Sequence, residues 1–301
     1  MHGENERPGK RAHLQGQRLD LVARLRAEGA DHLADPLAAC GEPFALTCAC
    51  CGTQKESITH CRKRWCPECA SMLSAMRYTK WVHAIEQLQW PLFLTFTIPN
   101  SEDPECLTHL KKCWAKFRRR KIFASKVTGG VGTFEITNKG NGWHPHIHAV
   151  VDCEWLSIHV PPPFRWESKA VKAQKFDLAK RELSAAWADQ IGHPHGVCWV
   201  RRVYGHGVVQ EILKYAVKGD ELLSSPDPIA PMLEVLRRTR TLAGFGSLHP
   251  LPSPDDEEPF AVACESCGAE KSFIPEEIVK FLYKGSRPGP GAHSGNHHHQ
   301  P

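Results

Sequence analysis

The sequence predicts an α+β protein built around an antiparallel sheet and preceded by a cysteine-rich zinc module. Three observations carry that expectation. Residues 91 to 218 alternate between period-two and helical apolar patterns in the order strand, helix, strand, strand, helix, strand, helix. Two of those strands, "GVGTFEIT" and "WHPHIHAVV", flank the turn "NKGNG" and read as a hairpin. Ahead of them, six cysteines crowd into residues 48 to 69.

Composition sets the outer limits. At 301 residues, 41% hydrophobic and 24% charged, the chain has the make-up of a globular protein with one sizeable core or two modest domains. No apolar run approaches the roughly 20 residues needed to cross a bilayer. The N-terminus "MHGENERPGKR" lacks the apolar stretch of a secretory signal. A cytoplasmic location without a membrane partner is therefore expected. That compartment keeps thiols reduced, so the 13 cysteines point to metal rather than to a disulfide scaffold.

Residues 1 to 39 begin as a basic arm and become a helix at "LDLVARLRAEGADHL", where Leu14, Leu21, Val22 and Leu25 form an apolar stripe. Residues 40 to 90 hold the cysteine module and the helix "SMLSAMRYTKWVHAIEQL", with Met72, Met76, Val82 and Ile85 at helical spacing. Its two C-x-x-C pairs, Cys48/Cys51 and Cys66/Cys69, are separated by 14 residues. Zinc takes four thiolates at tetrahedral corners, and a pair-spacer-pair layout closes such a site; Cys61 can replace a member of either pair. A third pair, Cys264 and Cys267 in "CESCG", reads equally as half of a second site completed from elsewhere or as a relic.

Residues 91 to 225 make the central domain. The strand "PLFLTFTIPN" leads to a basic helix from about 104 to 123, then to the hairpin, the loop "VPPPFRW" and a helix from about 168 to 191. The strand "GVCWVRRV" and the helix "VVQEILKYAVKGDEL" follow. The first six elements have the split βαβ order of ferredoxin-like folds, with helices on one face of the sheet and the other face free for a site. Residues 226 to 301 read as proline-rich linkers around one helix, the third cysteine pair and a disordered, histidine-ending tail.

Side chains alternate faces along a strand, so His144, His146 and His148 share one face while Pro145, Ile147, Ala149 and Val151 share the other. With residues 139 to 142 as the loop, Asn138 opposes Trp143, Phe134 opposes Ile147 and Ile136 opposes Pro145, so the apolar faces coincide. Glu135 then sits across from His146. Two or three imidazoles and one carboxylate suit a divalent ion that keeps positions open for substrate. Nitrogen ligands favour Mn²⁺, and cellular abundance favours Mg²⁺.

Two further stretches bear on function. "KKCWAKFRRRK", residues 111 to 121, gathers Lys111, Lys112, Lys116, Arg118, Arg119 and Arg120 around Trp114 and Phe117. A solvated helix face and a polyanion contact both fit it. In the last helix Glu211 precedes Tyr215 by four residues and Lys218 follows by three, which places them on one helical face. Alone, that spacing describes any amphipathic helix.

Taken in order, "FLTFTIPN", "WHPHIHAVV" and "KYAVK" resemble the three motifs of HUH endonucleases and look like those of plasmid rolling-circle replication initiators. The resemblance spans roughly residues 60 to 220, including "CRKRWCPEC", which is similar to a cysteine-rich segment ahead of the first motif in these proteins and in related transposases. It implies a nickase in which a tyrosine attacks one strand, leaving a 5′-phosphotyrosine link and a free 3′-hydroxyl primer. By motif, His146 and His148 take the metal positions, Glu135 is the third ligand with His144 as a further candidate, Tyr215 is the nucleophile and Lys218 the motif lysine. Glu211 takes the place of the acid associated with a terminating cleavage by water. The implied partners are single-stranded or extruded origin DNA and host replication proteins such as a helicase, with Trp114, Phe117 and Trp143 available to stack bases. The chain departs from two-tyrosine relatives, since Tyr78, Tyr204 and Tyr283 are its other tyrosines and none lies one turn from Tyr215. A single-tyrosine transposase and a zinc-dependent nucleic-acid-binding regulator remain the competing readings.

Overall fold

In the computed structural model the described residues are 8–48, 50–203, 209, 212, 224–240, 242–249 and 264–268. Glu211, Tyr215, Lys218 and the tail lie outside them. In chain order the elements are α1 (Pro8–Ala27), α2 (Asp31–Ala38), β1 (Pro43–Thr47), β2 (Gln54–Ile58), α3 (Pro67–Glu86), β3 (Pro91–Thr97) and α4 (Cys106–Phe117). They continue with α5 (Lys121–Ala124), β4 (Gly129–Asn138), β5 (Trp143–Asp152), α6 (Lys169–Ile191), β6 (Cys198–Arg202), α7 (Ala230–Arg237) and β7 (Leu242–Gly246). Among the described residues no helix is long and apolar enough to cross a membrane.

The chain divides into two compact units, Met1–Gly41 with His60–Glu257, and Glu42–Thr59 with Glu258–Pro301. The larger is an α+β unit around a five-stranded sheet of order β6-β3-β5-β4-β7, every neighbouring pair antiparallel. The β4–β5 register has Asn138 opposite Trp143, Glu135 opposite His146 and Phe134 opposite Ile147, as the loop length and the matching apolar faces require. Gly140 and Gly142 take φ of 90° and 80° in that loop, a conformation that side chains with a Cβ resist.

Period two then sorts the strands into two faces. Leu92, Leu94 and Phe96 of β3 join Ile136, Ile147, Ala149 and Val151 in one buried cluster with Leu107, Leu110, Trp114 and Phe117 of α4 and Leu183 and Trp187 of α6. Each such burial contributes about 1.5–3 kcal/mol. The basic helix is two pieces rather than one because Phe123 must enter the same cluster. In an unbroken helix it would sit about 240° around the axis from Phe117; the turn through Arg120, at ψ 144°, brings the two rings to 5.7 Å. The N-terminal helix also divides. Gly29 at φ 70° donates to the Arg26 carbonyl, and Ala30 N–H reaches the Leu25 carbonyl at 2.8 Å, a Schellman stop that starts α2 in a new direction.

The second sheet face is covered at one end. Phe93, Val131 and Val150 pack with Trp81 and Ile85 of α3 and with Val203, Val209, Ile212, Leu242 and Leu248. Helices therefore lie on both faces, not on one as the sequence reading held. Trp81 and Ile85, four residues apart, form an apolar helix face that has to be buried. The end of this face that carries the histidines is left open.

The smaller unit is the β1–β2 hairpin, paired from Pro43↔Ile58 to Thr47↔Gln54, with residues 264–268. Its two C-x-x-C-Gly turns are built alike. Gly52, φ 72°, donates to the Cys48 carbonyl at 2.9 Å, and Gly268, φ 71°, donates to the Cys264 carbonyl at 2.7 Å.

Candidate functional site

The open end of the second face forms a cleft of about 730 Å³ lined by Thr95, Thr97, Asn100, Glu135, Thr137, Lys139, Asn141, Gly142, His144, His146, His148, Val197 and Trp199. All three histidines of β5 are thus on one surface with Glu135. His148 and Glu135 are buried at its floor, and the His146 ring lies 5.9 Å from that of His148, with the planes 16° apart. The His144 ring lies 4.2 Å from that of His146, tilted 48° to it. Burial, and then the nearby Lys139, lowers the His144 pKa and so favours the neutral imidazole, the form that ligates metals.

Glu135 meets His148 on the diagonal, while its register partner is His146. Nε2 of His148 is 2.8 Å from Glu135 Oε2, and Nδ1 is 3.0 Å from Thr95 Oγ1. A carboxylate accepts, so Nε2–H donates to it, and in the neutral ring Nδ1 accepts from the Thr95 hydroxyl. Both ring nitrogens are thus engaged within the protein; to ligate an ion, Nε2 would give up its proton and its bond to Glu135, and Nδ1–H would then donate to Thr95. Glu135, His146 and His148 do not bring their ligand atoms within 4.8 Å of one another as a set; among the described residues the groups that do so are two cysteine tetrads. The motif resemblance pointed to the imidazoles and carboxylate. Thr95 was missed, although the alternation of Thr95 and Thr97 with Leu94 and Phe96 in "LTFT" marks them as facing the histidines.

The cysteines form two tetrads, the second completing the Cys264/Cys267 half-site, and the membership of the first differs from the expected one. Cys48 and Cys51 do not join Cys66 and Cys69; they group with Cys264 and Cys267, while Cys66 and Cys69 group with Cys40 and Cys61. The hairpin explains the correction. Cys48 and Cys51 lie at the turn of the hairpin and fall with Cys264 and Cys267 in the smaller unit, whereas Cys40, Cys61, Cys66 and Cys69 fall in the larger. Sulfur separations are 3.5 Å for Cys40–Cys69, 3.8 Å for Cys61–Cys69 and 3.8 Å for Cys40–Cys66. In the other centre they are 3.7 Å for Cys48–Cys267 and 3.6 Å for Cys51–Cys264. A tetrahedron with Zn–S arms of about 2.3 Å has edges of about 3.8 Å, whereas a disulfide is about 2.05 Å. Hydrogen bonds from Cys61, Cys66 and Cys69 hold the Cys40 pKa down, and the same cluster pushes the Cys61 pKa up. Adjoining thiols of this kind ionise together only around a cation. Each tetrad can thus hold a structural metal such as zinc, with no position left for substrate. Glu68, between two of the ligands, accepts from buried Arg18, which also donates to the Leu37 and Ala38 carbonyls at 2.7 and 3.1 Å, tying the first centre to α1 and α2.

The residues expected to touch DNA divide by position. Trp114 and Trp143 are buried, as is Phe117, and offer no face to a base; the helical spacing of Leu110, Trp114 and Phe117 places them in the core. Arg118 lies over Trp114 and Phe245 at 5.6 and 4.7 Å, Arg120 pairs with Asp189 at 2.7 Å, and Lys111 donates to Thr239 at 3.2 Å. Lys112, Lys116 and Arg119 are exposed. They project from a helix that packs on the apolar sheet face, opposite the cleft.

The described structure is thus that of an α+β protein with a polar cleft at one end of an antiparallel sheet and two cysteine tetrads able to hold a metal. Residues 53–155 match the model of a family described as replication protein. That span runs from the β1–β2 hairpin through β5 and contains Glu135 and the three histidines. No curated protein and no solved structure matches the chain.

Proposed function

We propose that the protein is a plasmid rolling-circle replication initiator of the HUH endonuclease type, which nicks one strand of origin DNA by tyrosine attack. The observation that carries this reading is the pairing of His148 with Glu135, beside His146, in an open cleft within the segment that resembles a replication protein. The strand order β6-β3-β5-β4 supports a ferredoxin-like assignment, being the fourth-first-third-second order of a split βαβ sheet. Ile212, three residues before Tyr215 in the sequence, is buried on the sheet face that carries the histidines.

In the proposed reaction the Tyr215 phenol oxygen bonds to phosphorus and loses its proton, while the P–O3′ bond breaks and the leaving oxygen takes a proton to become the 3′-hydroxyl. The 5′-phosphate stays esterified to Tyr215. Lys218 favours the phenolate of a group whose pKa is ordinarily about 10. Glu211 later activates the water of a terminating cleavage. Glu135, His146 and His148, with His144 adjacent, would hold a Mn²⁺ or Mg²⁺ ion that offsets charge on the nonbridging oxygens. Thr95 keeps the His148 ring aimed. The substrate is single-stranded or extruded origin DNA, because a phosphate within a duplex cannot lie on the sheet, and a host helicase would extend the opening.

The test is incubation of the full chain with single-stranded origin DNA and Mn²⁺. The expected result is a detergent-stable protein–DNA adduct that is absent in Tyr215→Phe. Binding without adduct across metals and origin strands would leave a non-catalytic regulator, and an adduct that persists in Tyr215→Phe would remove this nucleophile.

A further inference from the structure

We propose that Trp199, at the rim of the histidine cleft, is a stacking platform for one base of a single-stranded DNA substrate, with Lys180 and Arg201 beside it to meet the flanking phosphates. This rests on the nickase reading and adds a substrate subsite to it. Trp199 pairs opposite Thr95, and Thr95 pairs opposite His148, so the three form one row across the sheet. At about 4.8 Å per strand, Trp199 stands roughly 10 Å from His148, within reach of a nucleotide next to a phosphate held at the imidazoles.

Three features select a base as the occupant. Trp199 is 60% exposed although its strand neighbour Cys198 is buried, so its indole contributes surface to the cleft rather than to the core. The Lys180 ammonium lies over one face of the ring, 4.1 Å from the centroid, a contact that orients an indole, so a base would stack on the other face. Arg201, two residues along β6 on the same face, is exposed and lies 5.1 Å over Phe93, which in turn stacks on His148 at 5.7 Å. Lys139 lines the opposite side of the cleft. An open ring between cations matches a flat base flanked by anionic phosphates, the combination by which proteins hold single strands without reading sequence. The other exposed aromatic pair, Phe164 and Trp166, stacks ring on ring at 4.7 Å and is not among the residues lining this cleft, so it serves as a control.

The experiment measures binding of a short labelled oligothymidylate to the full chain by fluorescence anisotropy, for wild type, Trp199→Ala, Trp199→Phe and Trp166→Ala. A strand carrying 5-iodouracil is then photocrosslinked and the attachment mapped. Loss of the stack should weaken binding by about tenfold or more in Trp199→Ala, with Trp199→Phe retaining most of the affinity, Trp166→Ala unchanged and the crosslink on Trp199. Wild-type affinity in Trp199→Ala, equal losses in the Ala and Phe variants, a crosslink elsewhere, or no binding by wild type would each overturn the platform. Failure of the nickase reading looks different. A Trp199-dependent affinity with no Tyr215 adduct keeps the platform and removes the chemistry, whereas a Tyr215 adduct whose rate and affinity ignore Trp199 removes the platform alone.

Discussion

On β5, Ile147, Ala149 and Val151 are fully buried beneath α4 and α6, while His144, His146 and His148, one residue out of phase, line an open cleft. The same strands thus write two surfaces. One is an aromatic core in which Phe96 lies 5.2 Å from Trp114, 5.3 Å from Phe117 and 5.0 Å from Trp187. The other is a polar floor, covered at one end by Trp81 and Ile85 and open at the end where the imidazoles sit. Strand periodicity lets stability and chemistry share a backbone while remaining separable by substitution.

The largest expected effect is on the apolar side. Phe96→Ala removes a ring packed on three others and should cost about 3–5 kcal/mol, read by urea unfolding, with nicking per folded molecule unchanged; a small loss there would break the assignment of that face as the core. Next, His146→Ala should slow metal-dependent nicking by about a hundredfold or more, a larger loss than outer-shell changes give, and leave the unfolding midpoint nearly in place. A variant that unfolds instead would merge the two faces. Smaller still, Thr95→Val keeps the shape but removes the hydroxyl on His148 Nδ1, and nicking should fall by about tenfold to a hundredfold. Equal rates in single-turnover assays would show that His148 needs no orienting partner.

Much of this division was legible in the sequence, and most of the misses depend on partners distant in the chain. The β4–β5 register followed from local facts, a four-residue loop and two apolar patterns that coincide in a single alignment. The cysteine partners did not, because sequence proximity favours joining Cys48/Cys51 to Cys66/Cys69, whereas the fold assigns the first pair, with distant Cys264 and Cys267, to one unit and the second, with Cys40 and Cys61, to the other. The strand β7 was missed since "LAGFG" has five residues, two of them glycines, and gains its identity from β4. At Gly246 an added Cβ would stand 2.3 Å from the Thr128 carbonyl, so the glycine reflects close approach to that strand and not a linker. Trp114 and Phe117 were read as DNA contacts for the charges around them, although Leu110, Cys113, Trp114 and Phe117 already followed the helical spacing of a core face. Trp199 carried a weaker signal, an aromatic alternating with Cys198 and Val200 on what proves to be an edge strand.

The central claim is that the open end of the second face is a divalent-cation site held by Glu135, His146 and His148. Its most direct test is a Mn²⁺ titration of the zinc-loaded protein followed by electron paramagnetic resonance, comparing wild type with His146→Ala and His148→Ala. Wild type is expected to bind a Mn²⁺ ion that is lost in both variants while zinc content is unchanged. Equal Mn²⁺ binding in all three proteins would contradict it.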